Sequence, residues 1–289
     1  MRTIAHISDL HFGRVDPAVA EGLVGELGEK RPDVLVISGD LTQRARAGQY
    51  AQAAAYVGRL PRPQIIVPGN HDVPLFDVLR RIFFPLDRYR RYITADLEPY
   101  YRDDEVAILG INTTRRWTWR LGGFWKDGRI STEQLVDAKR RVGDLPERLF
   151  KILVTHHPFI PPPGERLHGI VGNAAGALNL LEQHGVDMLL AGHLHMGYSG
   201  DVRSHFEAVK RSMLSVQAGT AISTRRRDEP NAYNLLSIGG DQVTITVRAW
   251  GGKGFETDTV TEYRRNGGIW HKQDGGASTG RRKPTNLHE

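Results

Sequence analysis

Residues able to hold metal ions or move protons recur in five short groups: Asp9-Leu10-His11, Gly39-Asp40, Gly69-Asn70-His71-Asp72, His156-His157 and Gly192-His193-Leu194-His195. Asp9 and Asp40 bring carboxylates, Asn70 an amide oxygen, and His11, His71, His156, His193 and His195 imidazoles. In extended chain, an Asp-x-His or His-x-His pair presents both side chains on one side. Carboxylate and imidazole donors without thiolate suit Zn, Fe, Mn or Co rather than Ca. These donors are too many to crowd one ion and leave an open position. Two ions sharing one bridging carboxylate use them better, roughly 3.5–4 Å apart, clamping the attacking and leaving oxygens of a displacement.

Each group falls where an apolar run ends. Residues 2–8, 34–38, 64–67, 151–155 and 187–190 read as buried strands, and the polar groups follow them directly. Between them, Asp16-Pro17 opens a helix as N-cap and first helical residue. Residues 45–60 are Ala-rich and helical, and 173–184 form a helix closed by Gly185. Residues 75–84 and 86–92 read as two helices broken by Pro85. Residues 106–112 read as a strand, and Ser131 to Gln134 as a capping box opening a helix to about residue 141. Strands alternating with helices predict an α/β sheet, whose strand carboxyl ends are where ligands bind. Residues far apart in sequence thereby meet on one edge. After Gly197 the pattern changes: 212–217, 233–238 and 243–250 alternate like antiparallel strands, and Asn266-Gly267 marks a hairpin. The expected organisation is one domain over 1–272 and a polar, Gly-rich, disordered tail over 273–289.

The chain of 289 residues contains no cysteine, which excludes disulfide scaffolds, thiolate nucleophiles, Cys-based zinc sites and iron–sulfur clusters. The first residues lack the apolar run of a signal peptide, and no stretch approaches the ~20 apolar residues of a membrane span, so a cytoplasmic protein is expected. Of the net charge of +6, residues 80–91, the arginines at 115, 116 and 120, and Arg225–Arg227 carry +10, leaving −4 elsewhere. Such clusters attract anions. Arg225–Arg227, after Gly219-Thr220, read as a solvated turn, with a phosphate contact as the alternative. Residues 115–125 hold three of the five Trp. They read as an irregular loop packed on the body, although Arg and Trp together could hold a base or phosphate or meet lipid. His6 reads as a hydrogen-bonded core histidine, and His168, His184, His205, His271 and His288 as surface residues.

Any one group alone is weak: Gly-Asp is a common turn. All five in this order, each at a strand end, leave coincidence little room. The runs His6-Ile7-Ser8-Asp9-Leu10-His11, Gly39-Asp40, Gly69-Asn70-His71-Asp72, His156-His157-Pro158 and Gly192-His193-Leu194-His195 resemble the calcineurin-like metallophosphoesterases over residues 1 to about 250. The opening and the His-His-Pro run look most like the bacterial class III cyclic-nucleotide phosphodiesterase group. The resemblance implies a four-layer αββα sandwich of two mixed β-sheets flanked by helices, with a binuclear centre at the sheet edge. It implies that Asp9, His11, Asp40 and His195 hold one ion, and Asp40, Asn70, His156 and His193 the other. A metal-bridging hydroxide would be the nucleophile, and His71 would bind the phosphoryl group and protonate the leaving oxygen. Arg44, Asp72 and His157 are expected to touch the substrate or support the donors from behind.

Departures narrow this expectation. Purple acid phosphatases place Tyr where this chain has Gln43. Protein Ser/Thr phosphatases have an Asp before the arginine matching Arg44, and Glu where Asp72 stands. The expected function is a two-metal phosphodiesterase, using Mn, Fe or Zn, acting on a small anionic phosphodiester such as a 3′,5′-cyclic nucleotide. The alternatives are a pyrophosphohydrolase of nucleotide-linked lipid precursors, a nuclease, and a metal-free interaction scaffold. No dedicated nucleic-acid-binding module is visible, and the motifs leave the oligomeric state open.

Overall fold

The computed structural model describes residues 1–115, 127–162, 169–206, 208–226 and 229–273. The Arg- and Trp-rich segment beyond Arg115, His168, Arg227 and the expected tail from residue 274 lie outside them. The chain begins β1 (Arg2–Ile7), α1 (Pro17–Lys30), β2 (Val34–Ile37), α2 (Ala47–Val57), β3 (Gln64–Ile66), α3 (Val78–Phe83) and α4 (Asp87–Tyr92). It continues β4 (Tyr100–Arg102), β5 (Val106–Gly110), α5 (Thr132–Val142), β6 (Phe150–Val154), α6 (Ala174–Gln183) and β7 (Met188–Ala191). It then forms β8 (Tyr198–Asp201), β9 (Leu214–Gln217), β10 (Ala232–Gly239), β11 (Gln242–Trp250), β12 (Phe255–Asn266) and β13 (Ile269–Lys272).

Two mixed sheets result, with orders β13-β12-β11-β10-β1-β2-β3 and β4-β5-β6-β7-β9-β8. In the first, β1, β2 and β3 run parallel and β10 to β13 are antiparallel. In the second, β5, β6, β7 and β9 run parallel between antiparallel edges.

Strand periodicity builds the layers, because successive side chains point to opposite faces. Ile4, Val34, Val36 and Val67 meet Ile108, Ile152, Leu190 and Val216 between the sheets. The alternate residues Ala5, Ile7, Leu35 and Ile37 pack under Leu23 and Leu27 of α1 and Tyr50 and Ala53 of α2. Leu109, Leu153 and Leu189 pack under Leu135 and Ala138 of α5 and Leu178 and Leu181 of α6. The order helix, sheet, sheet, helix is the four-layer sandwich that the sequence implied. Strands buried on both faces read as the continuous apolar runs noted above.

The local signals act as their chemistry requires. Asp16 Oδ1 accepts from the Ala18 and Val19 amides at 3.0 and 3.4 Å, with Pro17 opening α1. Ser131 and Gln134 form their reciprocal cap at 3.2 and 2.9 Å. His6 is fully buried, 2.9 Å from Ser38 Oγ. His184 and His205 are half-buried and His271 is exposed.

One strand differs from expectation. Residues 212–217 read as antiparallel, yet β9 runs parallel to β7 and antiparallel only to the edge strand β8. Alternation reports which faces are buried and carries no information on neighbour direction. The edge strands β4 and β8 were missed because Tyr-Tyr-Arg and Tyr-Ser-Gly-Asp contain no apolar run.

Candidate active site

The parallel strands of both sheets end on one edge. Asp9 follows β1, Asp40 follows β2, Asn70 follows β3, His156 follows β6 and His193 follows β7. Asp9, His11, Asp40 and His156 are essentially inaccessible, and Asn70 and His71 are buried. Their loops turn sharply. Asp9, His11, Asp40, His193 and His195 have φ of 56°, 48°, 53°, 76° and 58°. These are five of the eight non-glycine residues with positive φ among the described residues.

The donors fall into two sets that share Asp40. On one side, His11 Nε2 lies 3.5 Å from Asp9 Oδ1 and 3.7 Å from Asp40 Oδ2, and His195 Nε2 lies 3.8 Å from Asp9 Oδ1. On the other, His156 Nε2 lies 3.4 Å from Asp40 Oδ1, 3.1 Å from Asn70 Oδ1 and 3.3 Å from His193 Nδ1. Donor triads able to surround a cation are Asp9, His11 and His195; Asp9, Asp40 and His156; and His156, His157 and His193.

Outer contacts aim these donors. His156 Nδ1–H donates to the Ser38 carbonyl at 2.8 Å, which points Nε2 inward. Thr220 Oγ1 gives its proton to the Arg225 carbonyl and lies 2.7 Å from His195 Nδ1, so it accepts there. His195 Nε2 therefore faces Asp9 with its lone pair. Asp9 Oδ2 accepts from the His193 amide and Asp40 Oδ1 from the His71 amide, at 3.0 and 2.8 Å. Such partners fix ring orientation and donor basicity in metal sites.

A cation fits this set. Asp9 Oδ1 and both ring nitrogens of His11 are buried with no hydrogen-bond partner. Buried polar atoms left so are costly, and a cation between Asp9 Oδ1 and His11 Nε2, 3.5 Å apart, would satisfy both. On the other side a proton fills this place. Burial disfavours a charged His156, but the Asp40 carboxylate, with Asp9 and the Ser38 carbonyl, outweighs it and raises the ring to about 9. Its Nε2–H then sits among Asn70, Asp40 and His193. Burial lowers His193 to about 3, and the His156 charge adds to that.

His71 belongs to neither set. Its Nδ1–H donates to the Gln43 carbonyl at 2.9 Å, and its Nε2 accepts from Arg225 Nη1 at 2.6 Å. Burial lowers it to about 4, against the pull of Asp40. Asp72 is turned away from the donors and ties two loops together. It accepts from the Leu41, Thr42 and Gly69 amides at 3.1, 2.9 and 2.9 Å, and from Thr42 Oγ1 at 2.9 Å. His157 is buried, 2.7 Å from Thr113 Oγ1, with its ring 4.6 Å from that of His193. The structure does not bring Arg44 to the donors: it is exposed, and its guanidinium lies 4.8 Å over the Phe76 ring. Thr220, Ser38, Thr113 and the Gln43 carbonyl had no signal of their own in the sequence. Arg225, read as part of a solvated turn, instead reaches His71.

A two-sheet sandwich carrying carboxylate, amide and imidazole donors at its parallel strand ends is the build of a metal-using phosphoester hydrolase. The chain belongs to the calcineurin-like phosphoesterase family, whose model matches residues 2–197. It is 36% identical over 210 residues to the glycerophosphodiester phosphodiesterase GpdQ of Enterobacter lignolyticus, covering 66% of this chain and 70% of that protein. It is 26% identical over 258 residues to the probable cyclic nucleotide phosphodiesterase PSM_A2567 of Pseudoalteromonas, covering 85% and 91%. Among solved structures, a dimetal phosphatase from Danio rerio has the same fold, with a TM-score of 0.62 at 13% identity over 89% of this chain and 98% of that one. Among the described residues no helix is long and apolar enough to cross a membrane.

Two outcomes follow from the packing and the protonation. At Gly69 a Cβ would stand 2.1 Å from Asp40 Oδ1 and 2.3 Å from the Asp40 amide, whereas at Gly25 on α1 it meets nothing within 4 Å. Gly69→Ala should lower unfolding stability by about 1–3 kcal/mol and weaken metal retention, whereas Gly25→Ala should leave retention intact and stability equal or slightly higher. Thermal melts with metal analysis compare the two. Secondly, His156 is protonated below about 9 in the metal-free protein, and a cation must expel that proton. Affinity for Mn²⁺ should therefore rise with pH up to that value. Calorimetry at pH 7 in buffers of different ionisation enthalpy should show about one proton released.

Proposed function

We propose that this chain is a two-metal phosphodiesterase acting on a small anionic phosphodiester, with a 3′,5′-cyclic nucleotide as the leading substrate. The observation that carries the reading is the Asp40 carboxylate, buried with one oxygen turned to each donor set. Asp9, His11, Asp40 and His195 would hold one divalent ion, and Asp40, Asn70, His156 and His193 the other. The donor chemistry suits Mn, Fe or Zn. When bound, two such ions supply hydroxide at neutral pH and offset charge on the phosphoryl oxygens.

The chain's own residues set the rest. Asp40 is the bridge because both its oxygens face donors, and Asn70 contributes a neutral oxygen, so the set carries only two formal negative charges. His71 stands beside the pocket with Nδ1 fixed on Gln43 and Nε2 facing the other side. It is neutral at pH 7, so it hands a proton to the leaving oxygen only after taking one up from the pocket. His157 and Asp72 hold neighbouring groups in place. The names of the relatives, phosphodiesterases of glycerophosphodiesters and of cyclic nucleotides, support a diester.

Attack by hydroxide on a monoester dianion is opposed by its second charge, so bis-p-nitrophenyl phosphate should be hydrolysed faster than p-nitrophenyl phosphate by the Mn²⁺-loaded protein. A tenfold preference for the monoester overturns the reading. No bound transition metal, and no activity restored by Mn²⁺, would leave an interaction scaffold.

Asp40→Asn should be the most damaging donor change, since its charge serves both sets. Metal occupancy should fall toward one ion or none, and turnover by at least about 10³-fold, the range for losing an electrostatic contributor at a reaction centre. His11→Ala and Asn70→Ala should be partly rescued by excess Mn²⁺. Full occupancy and normal turnover in Asp40→Asn would exclude the bridge.

A further inference from the structure

The turn after β9 joins two parts of the site. Thr220 Oγ1 touches His195 Nδ1 at 2.7 Å and donates to the Arg225 carbonyl at 3.3 Å. The turn is pinned from below. The Arg225 amide donates to Ser223 Oγ at 3.0 Å, Ser223 Oγ donates to the Arg14 carbonyl at 2.9 Å, and Asn231 Nδ2 holds the Ser223 carbonyl at 2.8 Å. The Arg225 side chain then crosses to His71, its Nη1 2.6 Å from Nε2. Thr220 and Arg225 thus place one backbone-fixed turn against a candidate metal donor and against the pocket histidine.

This position asks for an anion. Arg225 is half-buried. Among the described residues it makes no ion pair with a carboxylate, while Arg80, Arg203, Arg211, Arg248 and Arg265 all do. Its side-chain acceptor is Nε2 of His71. A guanidinium has five donors in a rigid fork that matches two oxygens of a phosphate. That contact uses one of the five donors, and among the described residues no other acceptor takes the side chain's remaining four.

We infer that Arg225 is a substrate-binding residue, which takes a non-bridging phosphoryl oxygen of the diester beside His71. This rests on the phosphodiesterase reading and deepens it. The turn delivers a permanent positive charge beside His71 and the candidate donor His195. The substrate phosphate is then held from two sides, by the donor-bound edge and by the fork. Arg226, exposed on the same turn, makes no such contact among the described residues.

The test compares wild type, Arg225→Ala and Arg225→Lys, each loaded with Mn²⁺ and checked for metal content and thermal melting. Loss of a charge-assisted hydrogen bond corresponds to roughly ten- to hundredfold in binding. Inorganic phosphate, titrated calorimetrically, should bind Arg225→Ala weaker by that factor. KM for bis-p-nitrophenyl phosphate should rise by a similar factor, with kcat changed less and metal content equal to wild type. Arg225→Lys should recover part of the loss, as a point charge without the fork. Guanidinium ion added to Arg225→Ala should also recover part of it, which a purely structural role would not allow. Phosphate affinity within twofold of wild type, or a loss explained by missing metal, overturns the inference. If wild type hydrolyses no diester, the phosphodiesterase reading fails, and the phosphate titration still decides the role of Arg225.

Discussion

The site is organised by one carboxylate that has nowhere to put its charge except on its neighbours. Asp40 is 1% exposed. A buried carboxylate is stable as an anion only if it is paired or well hydrogen-bonded. Burial works to raise Asp40, yet the His156 charge and the other rings around it hold it well below the usual carboxylate range. One hydrogen bond comes from the His71 amide, and the oxygens face the rings of His11 and His156 from two other loops. The sandwich is what makes this arrangement possible. β2, after which Asp40 comes, lies between β1 and β3. His156 arrives from the other sheet across the inter-sheet core.

Holding that charge requires backbone that ordinary residues avoid. Left-handed backbone at a non-glycine residue costs of order 1–3 kcal/mol and persists only where surrounding structure dictates it. Five such positions at one edge are sustained by three continuous hydrophobic layers and by Asp72. The Asp72 carboxylate gathers amides from the Gly39-Asp40 and Gly69-Asn70 loops, so the two turns that carry donors cannot move independently. Gly69 and Gly192 are glycine for a related reason: a Cβ there would fall on Asp40 and on Ser8.

The layers and the donors were legible in the sequence because both leave a periodic or positional trace. Residues 34–38 and 151–155 are apolar on both faces and end in polar groups, which marks a doubly covered strand with its carboxyl end at a site. Neighbour direction left no such trace, so β9 was assigned the wrong partner sense. Edge strands left none either, since burial is what writes the pattern. The supporting contacts were illegible for another reason. Thr220, Thr113 and the Ser38 and Gln43 carbonyls act through position alone, and a carbonyl has no residue type. Arg44 matched a family position by spacing, but spacing cannot show that its side chain lies on Phe76. Arg225 looked like one of three surface arginines, and only the fold shows that its turn is tied to His195.

The proposed two-metal reading gives the amide of Asn70 a place in the charge count of this edge. Three acidic residues lie close together, but only Asp9 and Asp40 face the donor space. Asp72 is raised to about 6, first by burial and then by the Asp40 charge, and amides from Gly69, Thr42 and Leu41 pull it back. Its charge is spent on backbone. On the proposed two-metal reading, two carboxylates would leave the centre at about +2, and a third would halve that. An excess of positive charge attracts a phosphodiester monoanion and favours the extra negative charge that builds on its oxygens as hydroxide adds. On the proposed reading, Asn70 would supply a neutral oxygen without subtracting from that excess, and Arg225 would add to it beside His71.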